Sequence, residues 1–244
     1  MRSTRWMRAL VGSAVAALAV FALALGAEAQ PKVDDANGRI YPPNAKPFGM
    51  TYGEWSGAWW QWALSIPAKA YPPMDPDGAQ CGTLQRGQVW FLAGTGAGSV
   101  TRTCTIPSGR AILIPIINYL NDYPCPEPPP FQPAPGQSID AFLAAGAAQV
   151  VDFVDLLEAE LDGRPVVNLT TFRARSPLIG FTAAANLQVF DSCITGSPQL
   201  GVSDGYWIML KPPSVGTHTL RIKGRNPLFP VTVEATYQLT IGGQ

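Results

Sequence analysis

Few side chains in this sequence are placed to do chemistry. Catalysis by a serine or cysteine nucleophile needs a base, and the only histidine is His218. It falls in an alternating segment on the side of Leu220 and Ile222, where a buried histidine bonded to a neighbouring group is the expected role. No Gly-x-Ser-x-Gly elbow is present. One histidine beside paired cysteines leaves too few ligands for an ordinary zinc centre. Asp75 and Asp77 put two carboxylates in one Asp-Pro-Asp-Gly turn. The segment lacks the further ligands and closing glutamate of a calcium loop, so it reads as a structural turn and no metal is expected. Arg164, Arg173 and Arg175 could hold an anionic group, although ordinary surface arginines explain them more simply. A pair of carboxylates remains, one acting as acid and the other as nucleophile or base, as in glycoside cleavage. Glu54, Asp122 and Glu127 are the acids least explained as surface filler, and Glu54 with Asp122 is the candidate catalytic pair.

Binding without catalysis is the leading reading. The apolar run Ala111–Ile117 passes abruptly into Asn118, Asn121, Asp122 and Tyr123, and then into a proline-dense loop over Pro124–Pro135. Amides and aromatics adjoining a buried strand are the usual mixture in a selective pocket. With Trp60 they form the candidate ligand-binding set, for a glycan or for cell-envelope material. A purely structural envelope component is the third reading, and it would need no polar cleft. Nothing in the sequence asks for a cofactor.

The elements that would position these residues follow from periodicity. Thr51 and Glu54 have the spacing of a capping box, and a helix is predicted over Tyr52–Ser65, stopped by Pro67. Tyr52, Trp55, Trp59, Trp62 and Ile66 share one face of it, which reads as core. Trp60 falls off that stripe and is expected to be exposed. Gln88–Gly94 and Val100–Ile106 look like a hairpin across the glycine-rich Thr95–Ser99. Ala111–Ile117 reads as a doubly buried strand, with Pro115 marking a bulge or an edge. Ser138–Leu161 reads as a long amphipathic helix whose acids Asp152, Asp155, Glu158 and Glu160 form a solvated face. Strands are predicted over Val166–Arg173, Leu187–Phe190, Tyr206–Lys211 and Thr217–Lys223. The strict alternation from Val231 to Ile241 marks a half-buried one. Together these predict a mainly β fold, an antiparallel sandwich of jelly-roll or immunoglobulin-like type, with one short aromatic helix and one long amphipathic helix.

The N-terminus reads as a secretory signal over residues 1–29. Arg2, Arg5 and Arg8 precede an uncharged apolar run, and Ala27-Glu28-Ala29 offers a cleavage site before Gln30. A retained membrane anchor is the alternative, since the run approaches the roughly 18 to 20 residues that span a bilayer. The arginines are not adjacent and no cysteine stands at the cleavage point, so neither a twin-arginine route nor a lipid anchor is expected. The expected product is soluble, in the periplasm or the medium, with an irregular arm over residues 30–50 and a single domain over 51–244. Removing the signal takes three of the 17 basic groups and one of the 17 acidic groups, leaving a net charge of −2. Such a balance does not suit a nucleic acid partner. Four cysteines in an exported chain imply two disulfides. Of three possible pairings, Cys81 with Cys104 would clamp the predicted hairpin, and Cys125 with Cys193 would tie the proline-rich loop to the body.

Three stretches also carry a resemblance. Tyr52-Gly-Glu-Trp-Ser-x-x-Trp-Trp-Gln-Trp62, the turn at Val89–Gly94, and the segment from Asp204-Gly-Tyr-Trp207 to Gly216-Thr-His-Thr-Leu220 look like those of exported bacterial proteins of unassigned function. The resemblance spans most of the mature chain and implies one domain. It brings no activity and no residue roles with it.

Overall fold

A computed structural model describes residues 35–96, 98–126, 131–229 and 231–242. The signal segment, the cleavage position before Gln30, residues 30–34 of the arm, and Glu127 lie outside the described residues. Helix α1, Tyr52–Leu64, begins as its sequence dictates: the Thr51 hydroxyl accepts from the Glu54 amide at 3.2 Å, and the Glu54 carboxylate accepts from the Thr51 amide at 2.7 Å. Tyr52, Trp59, Trp62 and Ile66 are buried as the periodicity requires, while Trp55 packs against the core from its edge.

The strands are β1 Val89–Phe91, β2 Gly98–Ile106, β3 Ala111–Tyr123, β4 Leu156–Leu161, β5 Arg164–Pro165, β6 Ile179–Thr182, β7 Pro198–Leu210, β8 Gly216–Asn226 and β9 Val231–Ile241. A second helix, α2, spans Ile139–Val151. The fold is mainly β, in two sheets ordered β1-β3-β7-β6 and β2-β9-β8-β4-β5. Each sheet is mixed rather than antiparallel throughout, because β1 runs parallel to β3 and β2 parallel to β9. One hydrophobic cluster draws on both sheets and on α1, with Trp59, Ile114, Trp207, Leu220 and Ala235 among its members.

Neighbouring residues on a strand point to opposite faces, and β7 shows what covers each side of its sheet. The Ser203 hydroxyl bonds that of Ser56 on α1, while Val202 packs with Leu143 and Ala144 of α2. At Pro115 the register between β3 and β7 shifts, the bulge expected of a residue that cannot donate to the ladder.

Four predicted elements are corrected. The hairpin over Gln88–Ile106 does not form, since β1 and β2 belong to different sheets and the glycine-rich segment carries the chain from one to the other. The long helix stops at Val151. Beyond it the apolar period shortens to two, and Ala159 and Leu161 of β4 lie buried opposite Ile222 and Leu220 of β8. Asp162 and Gly163, with φ of 54° and 76°, then form a two-residue turn into β5. The acids expected on one solvated helix face instead meet arginines: Asp152 with Arg173, Asp155 with Arg225, and Glu158 with Arg221. Val166–Arg173 is not a strand but contains the 3-10 turn Leu169–Phe172, and Leu187–Val189 is another such turn. Short apolar runs of this kind do not reveal their conformation by pattern alone.

Both disulfides pair as expected, Cys81 with Cys104 and Cys125 with Cys193. The first, however, fastens the segment before β1 to β2 across the two sheets instead of clamping a hairpin. Replacing Cys81 and Cys104 together by serine releases a loop closed over 23 residues. It is expected to lower stability by about 3 kcal/mol, read as a lower urea midpoint with a somewhat steeper slope, because the unlinked unfolded chain exposes more surface. The arm is part of the core at its described end: Ala36 and Ile40 are buried, and the Tyr41 amide donates to the Met209 carbonyl at 2.9 Å. Among the described residues no helix is long and apolar enough to cross a membrane.

Candidate functional site

A cleft of about 310 Å³ opens beside β3 where α1, the segments around Pro73 and Gly94, and the loop at Phe190 converge. Strand β3 supplies its polar wall. Asn118 and Asp122 share one face of the strand and line the cleft, while Asn121 faces the other way and donates to the Leu143 carbonyl of α2 at 3.0 Å. Tyr123 lies at a separate depression with Phe181 and Leu200. The structure therefore brings Trp60, Asn118 and Asp122 of the predicted binding set together and leaves Asn121 and Tyr123 outside.

Helix α1 contributes four tryptophans, three of which have a partner for the indole N–H. Trp55 donates to the Pro47 carbonyl, Trp59 to Leu92 and Trp62 to Thr83, at 2.8 to 2.9 Å. Among the described residues Trp60 finds none, and neither does the side-chain amide nitrogen of Asn118. Trp60 is half-buried rather than exposed, because it packs edge-on against Trp59 with ring centroids 5.2 Å apart. Two more rings line the cleft in the open: Phe190 is 43% and Phe229 47% exposed. Each is held flat against a tyrosine, Phe190 on Tyr71 at 5.3 Å and Phe229 on Tyr119 at 6.4 Å. Exposed rings fixed in orientation are platforms for a ligand, since stacking then costs little rotamer freedom.

The carboxyl group of Asp122 is buried. The side-chain amide of Gln199 donates to its Oδ2 at 2.7 Å, and the same nitrogen lies 2.8 Å from the Cys193 carbonyl. Gln199 and the Cys125–Cys193 disulfide thus bind the end of β3 to the loop carrying Phe190 and Asp191. Burial, reinforced by the charge of Asp191, pushes Asp122 up to about 7. Glu54 is elsewhere: exposed at the start of α1 and absent from the cleft, it is held below the usual carboxylate range by its bonds to Thr51. The acid that shares the cleft with Asp122 is Asp191. Sequence reasoning passed over it, yet the expected pairing of Cys193 with Cys125 already placed Asp191 near Asp122. Among the described lining residues there is no arginine, lysine or histidine.

Other candidates are committed to structure. Arg173 donates to Asp204 and Asp152 at 2.6 to 3.1 Å. Asp75 accepts from the amides of Gly78 and Gln80 inside its own turn. His218 resembles part of a catalytic triad, with Nδ1 2.8 Å from Asp162 and Nε2 3.3 Å from the Ser214 hydroxyl. The same Nε2 lies 2.9 Å from the Ser214 backbone carbonyl, which only accepts. A ring nitrogen donating there is not free to take a proton from the serine. Comparison with protein-family models, curated proteins and solved structures finds no match for this chain.

Proposed function

We propose that this is an exported domain that binds a carbohydrate-type ligand in the cleft beside β3 without converting it. The observation that carries this reading is the aromatic lining of the cleft: Trp60 contributes a half-buried ring, and Phe190 and Phe229 stand in the open, each stacked on a tyrosine. A sugar offers apolar ring faces to Phe190 and Phe229 and hydroxyls to Asn118 and Asp122. This mixture suits a polyol better than a purely apolar ligand. A merely structural component has no use for exposed rings around a buried acid.

The test is a glycan array followed by titration calorimetry on the best binder. Phe190→Ala and Trp60→Ala are each expected to weaken binding about tenfold, the loss of roughly 1.4 kcal/mol of stacking. Failure to bind any glycan would leave the structural reading ahead.

Hydrolysis is the second reading, favoured by two carboxyl groups in one cleft. Asp122 would stay protonated as the acid, and Asp191, rather than Glu54, would be its partner. Release of reducing ends that Asp122→Asn abolishes, with binding retained, would establish it.

A further inference from the structure

We infer that the ligand of this cleft carries a basic nitrogen, as a glycan with free amino groups does. The inference rests on the carbohydrate-binding reading and adds the charge of the ligand to it. Asp122 and Asp191 line one cavity, and the described lining residues bring no cation to balance them. Six acids outside the cleft, Asp152, Asp155, Asp162, Asp204, Glu158 and Glu234, each meet an arginine, whereas buried Asp75 accepts from amides of its own turn and Asp191 accepts from the Cys193 amide at 2.9 Å. Asp122 is 6% exposed and is held by the neutral amide of Gln199. A buried carboxyl without a counter-charge keeps its proton unless a cation arrives.

An ammonium group supplies what is missing. It brings one positive charge and three donors to two acceptor groups, and the open faces of Phe190 and Phe229 attract a cation further. An anionic sugar would add a third negative charge to the same space. An acetylated amino sugar is neutral and leaves the two carboxyls as they were. Asp191 and the Tyr119 hydroxyl are the titratable groups beside Asp122, and neither opposes a cation. Ammonium binding should therefore displace the Asp122 proton.

Titration calorimetry of the mature chain at pH 6.5, in two buffers of different ionisation heat, tests this with oligosaccharides of glucosamine, N-acetylglucosamine and glucose of equal length. The glucosamine oligomer is expected to bind at least tenfold more tightly than the other two and to release a proton. Asp191→Asn, with an unchanged melting profile, should reduce that preference to threefold or less. If the acetylated or glucose oligomer binds as tightly as glucosamine, the amino-group inference fails and the carbohydrate reading stands. If none of the three binds and the glycan array is also blank, both fail. A preference for glucosamine that Asp191→Asn leaves intact also overturns the assignment to this pair.

Discussion

Arg102→Met is expected to lower stability by about 3 to 5 kcal/mol, a fall in melting temperature on the order of 10 °C. Arg102 is 1% exposed, on the inward face of β2. Its Nε donates to the Asp75 carbonyl at 2.7 Å, Nη1 to Ala93, Gly94 and the Tyr237 hydroxyl at 2.8 to 2.9 Å, and Nη2 to Pro73 at 3.2 Å. The guanidinium carbon also lies 5.6 Å from the centre of the Tyr237 ring. Carbonyl dipoles, rather than a carboxylate, therefore solvate this charge. Methionine fills the space of the stem but leaves those carbonyls without donors, and each buried orphan costs about 1 to 3 kcal/mol. Arg102→Lys should restore little, because a single ammonium cannot span the fork of acceptors. The effect should reach the cleft, since Pro73 and Gly94 form part of its wall. Thermal and urea unfolding measure the stability loss, and a Met variant melting within a degree of the wild type would remove Arg102 as the peg between these segments.

Arg102 also shows what was legible before the structure. The pattern of β2 sets Arg102, Cys104 and Ile106 against Thr101, Thr103 and Thr105, so an arginine on the buried face could be read from the alternation itself. Local signals of this kind held: the capping box at Thr51, the aromatic stripe of α1, the bulge at Pro115 and the alternation of β9. Signals that required knowing a partner did not. Val89–Phe91 and Gly98–Ile106 are both β-formers on either side of a glycine-rich stretch, and nothing local says that one joins β3 and the other β9. The chain from Ser138 to Leu161 is apolar at helical spacing as far as Val151 and at strand spacing beyond Leu156, and a window spanning both blends the two periods. The cleft was legible at Asn118 and Asp122 because they adjoin a buried strand. Phe190 and Asp191 sit in a loop without periodicity, and only the Cys125–Cys193 pairing could have carried them to the same place.

Asp122→Asn is expected to make the protein more stable at pH 8 while leaving it almost unchanged at pH 4. In the unfolded chain this carboxyl has its ordinary value of 3.8, and in the folded protein burial and Asp191 raise it to about 7. Below pH 3.8 it is neutral in both states, so its contribution to stability is fully present there. As the pH rises through this window the unfolded chain gives up the proton freely while the folded protein retains it. The contribution therefore declines steadily and is lost once the pH passes 7. The interval between the two values corresponds to as much as about 4 kcal/mol. Asparagine keeps an oxygen to accept from Gln199 and removes the ionisation, so the difference in melting temperature between variant and wild type should grow from near zero at pH 4 towards 10 °C at pH 8. Other titrations, such as those of Asp155 and Glu234 beside their arginines, are common to both proteins and cancel in the comparison. Parallel pH profiles would mean that Asp122 ionises freely in the folded protein and that the cleft does not hold its charge back. If the profiles diverge as expected, an amino-bearing glycan should stabilise the wild type most near pH 7, where Asp122 has begun to ionise and the amine still carries its proton.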